Sequence, residues 1–144
     1  MKLDNVLFNS IQERAVVSPR RRMHYDLRTQ IEQGITIDGN QDMSQRMLNV
    51  MMPETIIPIH RHTETSETVI VCRGAVREEF YDEKGNKISE FLLEAGGECP
   101  GVQVPRGMYH TCVCIIPGSV IFEAKDRPYD PEKTEDLLYK PYEL

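Results

Sequence analysis

The sequence has no tryptophan, only four cysteines, and no pair of cysteines with two residues between them; Cys112 and Cys114 have one. Without a Cys-x-x-Cys pair, a structural zinc site of the cysteine-rich kind is not expected. No stretch approaches the ~20 apolar residues that a membrane-spanning helix needs. An excess of basic residues is also missing: the formal net charge is −6. Nucleic-acid binding releases counterions from a basic surface, so a nucleic-acid partner is not expected. The first ten residues lack a basic stretch followed by an apolar run, so no secretory signal is read there. The expectation is therefore a cytoplasmic protein, no membrane partner, and cysteines that stay as thiols. Internal repeats, low-complexity tracts and Ser/Gly-rich linkers are absent as well. One domain over residues 1–144 is expected, with an N-terminal extension over about 1–20 and a core barrel over about 45–125.

What is present is a series of short β patterns divided by turn signals. Thr68-Val-Ile-Val-Cys72 is a β-branched run closed by Arg73-Gly74. Ala75 to Tyr81 alternates, Asp82 to Lys87 reads as a hairpin turn, and Ile88 to Leu93 reads as the return strand. Further strands are expected over Arg22–Leu27, Gln45–Met52, Thr55–His62, Tyr109–Ile116 and Ser119–Ala124, and Gly101 to Val104 leads into the turn Pro105-Arg106-Gly107. Residues Thr29 to Ser44 read as a long loop. Such spacing points to an all-β antiparallel sandwich or barrel. Short terminal helices are expected around Leu7–Arg14 and from Pro131 to Leu138.

The chemistry concentrates in four residues. His60 and His62 are two apart, so in a strand both imidazoles share a face. Glu67 follows His62 by five residues across a Thr/Glu/Ser-rich bend that can bring its carboxylate back beside them. His110 lies 48 residues beyond His62, just after Pro105-Arg106-Gly107, and only a closed sheet returns it to the group. Imidazole nitrogens with a carboxylate suit one divalent ion and leave positions open for water or substrate. Zinc, iron, manganese, nickel and cobalt all fit such a donor set. A histidine alone is more often a surface or hydrogen-bonded residue; the combined spacing is what argues for a metal.

Other residues are less determined. Arg46 can bind a substrate carboxylate or phosphate, or pair with an acid at the surface. Cys112 shares the His110 face and is read as a small pocket-lining residue, with a soft extra ligand as the alternative. Glu123 and Lys125 share one strand face. Pointing inward, they are candidates for acid/base work; pointing outward, they form a solvated ladder. Met43, Met47, Met51 and Met52 read as core filler. The Arg20-Arg21-Arg22 run reads as a solvated strand start, with a small anion site as the alternative.

The segment from His60 to Gly74 resembles the first motif of the cupin superfamily, with its His-x-His, Glu and closing Gly. Pro105 to His110 resembles the second. Two departures stand out: Glu54 occupies the usual glycine position before the first histidine, and Cys114 the usual asparagine position after the last. Within the superfamily the chain is most similar to the WbuC family of cupin-fold metalloproteins, found with bacterial surface-polysaccharide genes. The resembling pieces are Ser18-Pro19-Arg20 with Arg22 and His24, Gln45 to Asn49, Pro117 to Val120, and Glu123-Ala124-Lys125 followed by Pro128-Tyr129. The resemblance implies a small cupin jelly-roll β-barrel, a metal on His60, His62, Glu67 and His110, and a homodimer. It also implies a small-molecule ligand, a sugar or sugar-derived metabolite of surface-polysaccharide metabolism. The resemblance names no reaction; the expectation is a small-molecule enzyme or binder, and, if an enzyme, a metal-dependent isomerase or epimerase. The alternatives are an Fe(II)-dependent dioxygenase and a non-enzymatic, metal-dependent ligand-binding module.

Overall fold

Two five-stranded antiparallel sheets face each other in a computed structural model of the chain. The description covers residues 43–127 and 130–137, the backbone of three short strands within 23–36, and Asn5 and Asn9. The first sheet runs β1 (Met23–Asp26), β4 (Ser44–Met51), β11 (Ser119–Asp126), β6 (Glu67–Arg73), β9 (Gly101–Val104). The second runs β12 (Thr134–Asp136), β5 (His60–His62), β10 (Tyr109–Cys114), β7 (Ala75–Tyr81), β8 (Lys87–Glu94). Strands β4 to β7 alternate between the sheets, β8 stays in the second as the hairpin partner of β7, and β9, β10 and β11 alternate again, with β10 and β11 pairing inside the sheets. That is the jelly-roll connectivity, and it brings segments far apart in sequence into register.

The expected strands recur with small shifts at their ends. Three expectations differ. The long loop over Thr29–Ser44 contains a minimal ladder, β2 (Ile31–Glu32) with β3 (Ile35–Thr36). The strand expected from Thr55 shrinks to His60–His62, because Pro53 and Pro58 remove ladder donors. The helix expected from Pro131 is a single 3-10 turn, Pro131–Lys133, after which Thr134–Asp136 pairs with β5. Pairing with an open strand edge outweighs a helical preference over so few residues. The helix expected around Leu7–Arg14 lies outside the described residues, apart from Asn9, which is α-helical.

The inner faces grade from apolar to polar along the strands. On β6 the inward residues are Val71, Val69 and Glu67; on β10 they are Cys114, Cys112 and His110. On β11 the order is Ile121, Glu123, Lys125, and on β4 it is Met51, Asn49, Gln45. Antiparallel register aligns these gradients, pairing Ile121 with Val71, Glu123 with Val69 and Lys125 with Glu67. One end of the barrel is therefore a packed core of Met51, Val71, Val76, Leu93, Cys114 and Ile121. The opposite end gathers ionisable groups. Of the methionines singled out, Met51 alone belongs to this core; Met43 is exposed.

Candidate functional site

His60 and His110 are directly opposed in the β5–β10 ladder, so a single cross-strand step joins the early and late histidines. Their ring centroids are 4.4 Å apart, and His62 lies 5.1 Å from His60 and 5.7 Å from His110. One ring nitrogen from each gathers within 4.8 Å of the others, a little over twice a metal–nitrogen bond of about 2.1 Å. The group can hold a metal ion.

Each ring is oriented through Nδ1. His60 Nδ1 lies 2.9 Å from the Pro58 carbonyl and His110 Nδ1 lies 3.0 Å from the Met108 carbonyl. A carbonyl only accepts, so both Nδ1 atoms donate and both Nε2 lone pairs are left for a cation. His62 Nδ1 faces the Thr134 hydroxyl at 3.3 Å, because β12 places Thr134 opposite His62. Burial, with its neighbour His110, pushes His60 down to about 3, and burial lowers His110 as well. Both rings are thus neutral and ready to donate a lone pair at physiological pH.

Glu67 enters from the other sheet. Its Oε2 is 2.8 Å from His62 Nε2, and both side chains are buried. Burial alone would raise the Glu67 carboxyl. The His62 hydrogen bond and the charge of Lys125 are among the effects that outweigh it, and the group is held well below the usual carboxylate range. Glu67 therefore reaches the histidines by way of His62, where a divalent ion would replace the shared proton.

Lys125 is the cross-strand partner of Glu67. Its ammonium lies 3.9 Å from Glu67 Oε2 and 3.3 Å from His62 Nε2, with a side chain only 6% exposed. A cavity of about 340 Å³ opens above His62 and Lys125, its rim carrying Glu64, Arg127 and Lys133. The other candidates fall elsewhere. Glu123 is buried on the Lys125 face but does not line this cavity. Cys112 packs in the apolar core. Arg46 is exposed, donates to Ser44 Oγ at 2.6 Å, and lines a separate depression of about 230 Å³. Gln45 is buried beside that depression, and its Oε1 has no hydrogen-bond partner among the described residues.

Sequence reasoning passed over Thr134, Glu64, Arg127 and Lys133. Thr134 was hidden by the helical reading of its segment. Glu64 and Arg127 each sit two residues beyond a residue already singled out, the spacing that repeats a strand face. Nothing local signals Lys133.

Comparison with solved structures supports the fold. A crystal structure of CapF with the inhibitor 3-isopropenyl-tropolone aligns with a TM-score of 0.64 at 18% identity, over 82% of this chain and 32% of that one. The capsular polysaccharide assembling protein CapF from Staphylococcus aureus aligns at 0.58 and 21% identity, over 67% and 29%. Oxalate decarboxylase from Bacillus subtilis aligns at 0.60 and 16% identity, over 82% and 29%. These are cupin proteins, and the likeness establishes the cupin fold. This chain spans about a third of the length of each. A search of curated proteins returned no match. Residues 3–93 match the model of a family described as a domain of unknown function (DUF6016). With well over half of its length matched, the chain belongs to that family.

Proposed function

We propose that this protein is a metal-dependent cupin that binds or transforms a small sugar-derived metabolite in the cavity above His62. The observation that carries the reading is the convergence of three imidazoles, each with Nδ1 facing a polar oxygen, on one point, with His62 the member that lines the cavity. In this reading His60, His62 and His110 supply nitrogens and Glu67 supplies the carboxylate. When bound, a divalent ion there polarises a carbonyl or acidifies a water. Lys125 holds a buried positive charge beside the floor, where it can fix or protonate a ligand oxygen. Glu123, Arg46 and Cys112 lie away from this cavity and play no direct part.

The surface-polysaccharide setting and the relation to WbuC-like proteins belong to the same proposal. CapF, described as a capsular polysaccharide assembling protein, has the same fold, and the Gln45–Asn49 and Glu123–Lys125 runs carry the finer likeness. Four free thiols support a reducing, cytoplasmic compartment. The edge strand β8, with Ile88 and Leu92 exposed, supports pairing with a second copy.

Elemental analysis of the purified protein, with His60→Ala and His110→Ala controls, tests the centre. The expected result is about one equivalent of metal in the wild type and loss in both variants. No metal in the wild type, or equal metal in all three, refutes the assignment. Oxygen uptake by iron-loaded protein would instead favour a dioxygenase. A ligand-induced melting shift without turnover would favour a binding module.

A further inference from the structure

The rim of the cavity carries an arrangement that the metal site does not require. Glu64 is gripped by two bases: its Oε2 is 2.6 Å from Arg127 Nη1 and its Oε1 is 2.9 Å from Lys133 Nζ. Arg106 adds a third positive charge to the same carboxylate. Below them lies the Lys125 ammonium at the floor. Two further acids line the rim, Asp126 at the end of β11 and Asp130, whose Oδ1 accepts the Glu132 N–H at 2.9 Å. Glu64 is the carboxylate that Arg127 and Lys133 both hold.

The backbone fixes this arrangement. Arg127 has φ 71°, the one positive φ outside glycine among the described residues. An L-residue adopts that conformation at a cost, and such residues cluster at functional sites. The Arg127 N–H is tied to the Met43 carbonyl at 2.6 Å, which aims the side chain across the mouth. Lys125 and Arg127 thus leave one strand end, floor and rim, while His62 and Glu64 leave the facing one. The rim pair is solvated, with Glu64 37% and Arg127 64% exposed. Ion pairs of that exposure contribute little and exchange easily.

We infer that the cavity admits its ligand through an anionic oxygen group, a carboxylate or a phosphate, which displaces Glu64 from between Arg127 and Lys133. Glu64 is then a resident occupant of the ligand's anion subsite. The inference rests on the cavity being the ligand site and narrows the ligand to an acidic class. Arg suits either group because its planar fork binds two oxygens at once.

Calorimetric titration with malonate and with inorganic phosphate, and with glucose as a neutral control, tests it on metal-loaded and EDTA-treated protein. Glu64→Gln removes the competing charge and is expected to tighten one or both anions at least fivefold. Adding Arg127→Gln to that variant is expected to abolish the gain. Which anion gains more separates a carboxylate from a phosphate ligand. Glucose binding should not change with either substitution. Anion affinity in Glu64→Gln equal to or below wild type overturns the inference, as does a gain that survives Arg127→Gln or no anion binding in any variant. A gain that persists after EDTA treatment, in protein that never retains metal, refutes the metal centre and leaves the anion subsite standing. Metal retained with no gain does the reverse.

Discussion

Single residues decide the chemistry at both ends of the barrel. At the polar end, a divalent cation held as proposed would compete with Lys125 for the Glu67 carboxylate, since Lys125 is its cross-strand partner and lies 3.9 Å away. Replacing Lys125 by Met removes the competing charge while keeping the stem. Metal affinity is expected to rise about tenfold, ~1.4 kcal/mol, in competition with a fluorescent chelator. At the apolar end, Gly74 has φ +78° and a Cβ there would meet Ser119 Oγ at 2.4 Å. Ser119 cannot move away, because its fully buried hydroxyl accepts the Ala75 N–H at 3.0 Å and donates to the Ile116 carbonyl at 2.6 Å. Gly74→Ala should therefore cost about 2–4 kcal/mol in urea unfolding, well above the ~1 kcal/mol of positive φ alone. The two motif departures are local in the same sense. Glu54 is exposed, and Cys114 is buried with Sγ 3.2 Å from the Met51 carbonyl. Neither touches the histidines.

At the scale of the element, the strands show why a period of two is informative and where it stops. In β8, Leu93 is fully buried whereas Leu92 is 58% exposed, although they are adjacent and chemically identical. Leu93→Ala is expected to destabilise by about 3 kcal/mol through a core cavity, and Leu92→Ala by less than about 0.5. Parallel urea denaturation curves check the contrast. In β7, the outward Glu79 is nevertheless buried. Burial would raise its carboxyl, but hydrogen bonds from Tyr81 and Arg77 and the charge of Lys87 lower it on balance. A depressed folded pKa contributes stability that is full above the unfolded value, near 4.5, and is lost as pH falls through the folded one. Glu79→Gln should flatten the decline of melting temperature between about pH 5 and 3, as measured by circular dichroism. An unchanged acid slope would show that Glu79 is not among the groups driving acid unfolding.

For the whole molecule, the candidate centre joins two sheets: His60, His62 and His110 come from one and Glu67 from the other. Metal binding should therefore stabilise the fold globally. At a free ion concentration one hundred times Kd the gain is ~2.7 kcal/mol, a rise of about 8 °C in melting temperature for a chain of this size. The rise should vanish in His110→Ala, and differential scanning fluorimetry with and without EDTA checks it. The sequence by itself determined the β class, most strand positions, the shared face of His60 and His62, and the bend that returns Glu67. These are set by local periodicity and turn chemistry, which act within a few residues. Only the tertiary structure decided the rest. It paired His110 with His60 across 50 residues and Lys125 with Glu67, and it turned the C-terminal segment into a strand that sets Thr134 against His62. It also carried Glu64, Arg127 and Lys133 to one rim. Those contacts depend on which strand edges meet when the jelly roll closes. Closure is a non-local event, and no short stretch of sequence encodes it.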